Sequence, residues 1–288
     1  MKSFLKNSIL VCLMVPFFIN AQINKPSLSP KIVKELQVGL ATVKLEYGQP
    51  SAGDRQIFGG LIPYQKLWRT GANSSTKISI DRDIQLAKKD IPAGSYGLYS
   101  IPGENDWTIV IHKNTKLWGA GNYDQTNDLL RFKVPALKLK DKIETLSIYF
   151  ENFHANGGDL VIAWEYTKVV IPLFVNSDPI LFKEIEEKIN HSTGEIKAQT
   201  YFDAAQFYYH KNKDLDKAAE WFEKAIAMKP NAFWYKYYRA ELAYHVKDYQ
   251  IAKEKVTTSL NQAKSSKSGD YGYIAKCKLL LEKMNTKN

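Results

Sequence analysis

The sequence predicts an α+β protein of two domains, an antiparallel β-sandwich followed by a short α-helical array. Three observations carry that expectation. The chain changes texture near Asn176-Ser177-Asp178-Pro179, with β-branched and aromatic alternation before it and helical spacing of apolar residues after it. Turn signals punctuate the first part at short intervals, with no helical stretch between them. In the second part alanine recurs 34 residues apart, at Ala218 and Ala252, in two helical stretches. The expected segments are a processing signal over 1–21, a sandwich over 22–176 and helices over 177–288.

The amino terminus reads as a secretory signal. Lys2 and Lys6 precede an apolar run, Ile9 to Ile19, and Ala21 offers a small residue for cleavage. Eleven residues containing Pro16 are too short for a bilayer, which needs about 20. No later stretch is apolar enough to anchor, so no transmembrane segment is expected. The mature protein is expected to be periplasmic or secreted, and Cys277 would be its only cysteine. A single thiol makes no internal disulfide, so packing must hold the fold. The formal charge of +10 is spread over both halves with no concentrated basic run. Nucleic-acid binding wants such clustering, and none is expected here.

Strands are expected at VKLEY (43–47), TKISI (76–80), SYGLYSI (95–101), WTIVIHK (107–113), LLRFKV (129–134), ETLSIYFE (144–151), LVIAWEY (160–166) and VVIPLFV (169–175). Pro102-Gly103-Glu104-Asn105 predicts a tight connection, because Pro and Gly supply the fixed and the positive φ of a turn. Asp81 and Asp83 are expected on one face of a strand.

Asp178-Pro179 predicts a helix start, with Asp as cap and Pro in the first turn. Further on, Ala218, Phe222, Ala225 and Pro230 stand at a spacing that resembles the tetratricopeptide repeat. A second unit over about 231–264 carries Val256 and Ser259 where the first has Phe222 and Ala225. A closing helix follows. Phe233 to Tyr238 holds five aromatics in six residues, too many for one buried face. Trp234, Tyr235 and Tyr238 are therefore the candidates for contact with a protein partner, and the alternative role of the helices is to brace the β domain.

Motifs for metals, nucleotides and serine hydrolases are missing: no HExxH, CxxC, GxSxG or GxxxxGK[ST]. The five histidines are scattered, so no metal site and no cofactor are expected. The block LWRTGANSSTKIS, Leu67 to Ser79, holds the polar residues of most interest. Arg69 offers a planar fork of donors for a carboxylate, a phosphate or a row of carbonyls. Asn73 offers a donor and an acceptor. Trp68, Trp118 and Tyr123 would add stacking surface, and together these five suit a small anionic or sugar ligand. The competing structural role is Arg69 as a clamp on backbone carbonyls.

Phe-Gly-Gly at 58–60, Trp-Arg-Thr-Gly-Ala-Asn at 68–73, Ala-Gly-Ser-Tyr at 93–96 and Trp-Gly at 118–119 come in an order that resembles an exported bacterial family, DUF2911. The resemblance spans about 37–175 and implies a β-sandwich with no assigned reaction. Gln49 stands where that family usually has arginine, and Ser74-Ser75 where it has Glu-Ala. The expected function is therefore non-catalytic, with a β domain binding a ligand or envelope partner and helical repeats mediating protein contact. The alternative is a periplasmic hydrolase or glycan-active enzyme with a site around Arg69, Asn73 and His112.

Overall fold

The computed structural model describes residues 25–286, and the processing signal expected at 1–21 lies outside them. The chain divides into two compact units, one ending at Val175 and the other beginning at Asn176.

Nine strands build the first unit: β1 (Lys31–Val38), β2 (Ala41–Gly48), β3 (Ala72–Ile80), β4 (Ile84–Leu86), β5 (Lys89–Ile91), β6 (Gly94–Pro102), β7 (Asp106–His112), β8 (Asp128–His154) and β9 (Gly157–Phe174). They form one antiparallel sheet in the order β1-β2-β3-β6-β7-β8-β9-β4-β5. Alternation drives this pairing. In β2 every second side chain is buried, so one face is apolar and the other wet.

LLRFKV and ETLSIYFE are the two ends of a single 27-residue strand, and LVIAWEY and VVIPLFV belong to a single 18-residue one. The polar stretches between them look like turns in the sequence but are bends within the strands. Pairing slips between Lys138 and Ile143, and Glu165 opposite takes a left-handed φ of 53°. Bulges of this kind let a sheet turn a corner. One folded sheet thus supplies a single core, with Leu45, Ile78 and Ile109 from its first half and Ile148, Ile162 and Ile171 from its second. Strands β1, β4 and β5 were not expected. β1 is a charged, half-exposed edge, and the other two span three residues each. Asp81 and Asp83 lie in the turn after β3 rather than on one strand face. They accept from the Thr42 and Ala93 amides at 2.7 and 2.8 Å.

The sheet also closes on itself. The Ala52 amide donates to the Glu144 carbonyl (2.7 Å) and the Leu146 amide to the Pro50 carbonyl (3.0 Å). Side chains complete the seam. Lys34 Nζ donates to the Ile148 carbonyl (2.9 Å), the Tyr47 hydroxyl accepts from the Ile148 amide (3.2 Å), and Gln49 Nε2 donates to the Leu146 carbonyl (2.9 Å). Gln49 thereby has a structural task on this seam.

Six helices form the second unit: α1 (Asp178–Asn190), α2 (Ala198–His210), α3 (Leu215–Met228), α4 (Phe233–His245), α5 (Tyr249–Ser265) and α6 (Tyr273–Asn285). Ser177 occupies the cap position of α1. Asp178 stands inside the first turn instead, paired with Lys211 at 2.7 Å. Asp214 and Asp248 cap α3 and α5 by accepting from Lys217 and Ile251 amides, both at 3.1 Å. Equivalent positions 34 residues apart are all fully buried: Ala218 with Ala252, Phe222 with Val256, Ala225 with Ser259. Ser259 is tolerated inside because its hydroxyl donates to the Phe233 carbonyl (2.8 Å) and accepts from the Cys277 thiol (3.4 Å). Burial pushes that thiol's pKa up.

Candidate functional site

The block singled out in the sequence is a large bulge. On β2 a single residue, Tyr47, separates Glu46 from Gly48. On β3 four residues, Asn73 to Thr76, separate their partners Lys77 and Ala72. The extra length loops out and bonds elsewhere. The Ser75 amide donates to the Leu117 carbonyl (3.2 Å), and Ser74 bridges to Trp118. The Thr76 amide and hydroxyl donate back to the Arg69 and Thr70 carbonyls, at 3.1 and 2.9 Å.

Two residues of this loop hold left-handed backbone, Thr70 at φ 56° and Asn73 at φ 64°. Asparagine takes that conformation readily, whereas a β-branched residue does not. Thr70 is fixed there by burial and by a hydroxyl contact with Ser100 Oγ at 2.7 Å. Strain of this kind costs on the order of 1–3 kcal/mol and persists only where the surroundings over-determine it.

Trp68 is buried. Its indole stacks on Trp164 (6.0 Å between centroids, 22° between planes) and donates to the Gly71 carbonyl at 3.1 Å. Arg69 is half-buried, and its Nε is buried with no hydrogen-bond partner. The guanidinium lies against Gly119, where a Cβ would stand 3.0 Å from Nη1. Trp68, Arg69 and Trp164 line a cleft of about 820 Å³ together with the Pro50–Arg55 segment, Leu61 and Ile62. The carbonyl clamp suggested for Arg69 is made by Arg55, whose Nε donates to Ala52 O at 2.9 Å and whose Nη2 donates to Ser51 O.

The five candidates do not converge on one place. Asn73 and Trp118 line a separate hollow of about 280 Å³. The Asn73 amide donates to the Ser29 carbonyl at 3.1 Å. Tyr123 packs on Tyr99 and His112, bonds Asp128 at 2.5 Å and accepts from Arg131 at 2.8 Å. Burial first, and then the Asp128 carboxylate, push its hydroxyl up to about 12. His112 is buried. The backbone engages both ring nitrogens, Nδ1 at the Asn114 amide (3.1 Å) and Nε2 at the Asp124 carbonyl (3.1 Å). No group of three or more metal-ligating side chains occurs among the described residues.

On α4, Tyr235 is fully buried, stacks on Phe202 and bonds Gln199 at 2.9 Å. It cannot face a partner, because the aromatic run fills the seam between helices. Trp234 and Tyr238 are half-buried, and Trp234 borders a hollow with Pro230 and Gln262.

Trp164 and Arg55 were missed in the sequence. Trp164 lies 96 positions from Trp68, and no local pattern joins them.

The first unit is thus a single antiparallel sheet closed on itself, with two hollows beside the bulge between β2 and β3. The family described as "Protein of unknown function (DUF2911)" matches residues 29–173, about half of the chain, and the chain belongs to that family. No curated protein and no solved structure matches it.

Proposed function

We propose that the β unit binds a small organic anion in the Trp68–Arg69 cleft. One observation carries this reading. Arg69 lines the cleft, and its guanidinium makes no hydrogen bond or ion pair among the described residues, whereas an unpaired buried donor costs about 1–3 kcal/mol. A carboxylate or phosphate matches the guanidinium fork. Binding is favoured over hydrolysis because His112 has both ring nitrogens engaged by the backbone and Asn73 opens on a different hollow. The test is a thermal-shift screen of the full chain against organic acids and phosphate esters, with Arg69→Met beside it. Stabilisation by at least one anion is expected, reduced tenfold or more in apparent affinity in the variant. No stabilisation across the screen, or an unchanged variant, overturns the reading.

The helices are read as a tetratricopeptide-like array that contacts a protein partner in the envelope, after export directed by the amino-terminal signal. The 34-residue equivalence of buried positions supports the array. Crosslinked pull-down from an envelope fraction, comparing the full chain with one ending at Asp178, tests both statements. The longer chain is expected to hold a partner that the shorter one loses. Identical partner sets overturn the partner reading, and absence from the envelope overturns export.

A further inference from the structure

The hollow that holds Asn73 and Trp118 has its own chemistry. It is bordered by Lys31, Glu46, Lys77 and Lys116. Trp118 is 71% exposed, although its backbone is fastened to the bulge at Ser74. A singly exposed ring is ordinary on a surface, and what distinguishes Trp118 is its fixed mount beside a charged hollow. Charge around it is unbalanced. Lys31 pairs with Glu46, and Lys44 stands 3.8 Å from the same carboxylate. The Lys31 ammonium, then Lys77 and Lys44, hold Glu46 below the usual carboxylate range. Lys77 and Lys116 make no ion pair among the described residues, so the hollow keeps a surplus of positive charge. Ser74 Oγ and Asn73 Oδ1 make no hydrogen bond within the described residues, so both can meet hydroxyl groups.

We propose that this hollow binds a hexuronate, a pyranose ring bearing a carboxylate, either free or as one unit of an acidic polysaccharide. The apolar face of the ring lies on the Trp118 indole, the carboxylate faces Lys77 and Lys116, and the ring hydroxyls meet Asn73 and Ser74. The exposed indole bordering the hollow suits the C–H face of a sugar. The site is separate from the Arg69 cleft and does not depend on it.

Calorimetric titration of the full chain with galacturonate, trigalacturonate, galactose and adenosine monophosphate tests the proposal. Galacturonate is expected to bind and to change tryptophan emission, with galactose about tenfold weaker and binding that weakens as salt rises. Trp118→Ala should lose about tenfold, the scale of one aromatic contact. Lys77→Ala with Lys116→Ala should remove the preference over galactose. Titration of the Arg69→Met chain separates this site from the Arg69 cleft, and the Trp118 and lysine effects should persist in it. Trp118 and Lys116 are exposed and Lys77 and Arg69 half-buried, and unchanged melting of each variant shows that the fold is intact. A tighter trimer points to polymer, and equal affinities point to the free sugar acid. Failure of galacturonate to bind, equal binding of galactose, tighter binding of the nucleotide to the Arg69→Met chain, or an unchanged Trp118→Ala overturns the proposal.

Discussion

Trp164→Ala is expected to destabilise the β unit by about 3–5 kcal/mol, the cost of removing a large buried aromatic without collapse of the site. The indole is almost wholly buried and lies within 6.3 Å of Phe58 and 6.0 Å of Trp68. Its N–H donates to the Glu144 carbonyl at 3.2 Å, beside the seam where Glu144 also accepts from Ala52. The substitution therefore empties volume and orphans part of a buried hydrogen bond at one stroke. Melting of the full chain should show the transition of the β unit lowered by roughly 10 °C. A shift under about 2 °C would mean that neighbouring rings refill the space, and the aromatic cluster would lose its place as the centre of the core.

Gly48→Ala is the second large effect. A Cβ there would stand 2.2 Å from the Ala72 carbonyl oxygen and 2.8 Å from its carbon, both backbone atoms. No rotamer relieves such a clash, so β2 and β3 must separate where the bulge begins. The expected cost is about 3 kcal/mol or more, at the upper end of what overpacking produces. Gly194→Ala is the matched control, because nothing lies within 4 Å of the added atom. Denaturant titration should show the first variant weakened and the second close to the parent. Equal midpoints would show that the bulge yields at little cost.

Much of the fold was legible because local chemistry fixed it. Pro102-Gly103 turns the chain between β6 and β7, and alternation in 107–113 marks β7. The helices follow from their apolar spacing, although the cap position expected at Asp178 falls to Ser177. Strands β8 and β9 were cut in two because a bend and a turn use the same polar residues, and only pairing across the sheet tells them apart. The site was legible in outline only. Trp68 and Arg69 announced themselves by residue type. The division of labour between Arg55 and Arg69 depends on which carbonyls the folded chain brings near each guanidinium. Tyr235 was misplaced for a like reason: its burial comes from α2 beside it, which helical spacing on α4 alone does not contain.

The seam at β8 joins residues far apart in sequence. Lys34 reaches across 114 positions, Tyr47 across 101 and Gln49 across 97. Backbone bonds to Pro50 and Ala52 hold part of that strand edge, and three side chains cover further donors and acceptors along it. An uncovered row of this kind is a template for a second chain. The colloidal behaviour of this protein therefore rests in part on an amine, a phenol and an amide, each removable by one nucleotide change, and the phenol, Tyr47, also lines the smaller hollow.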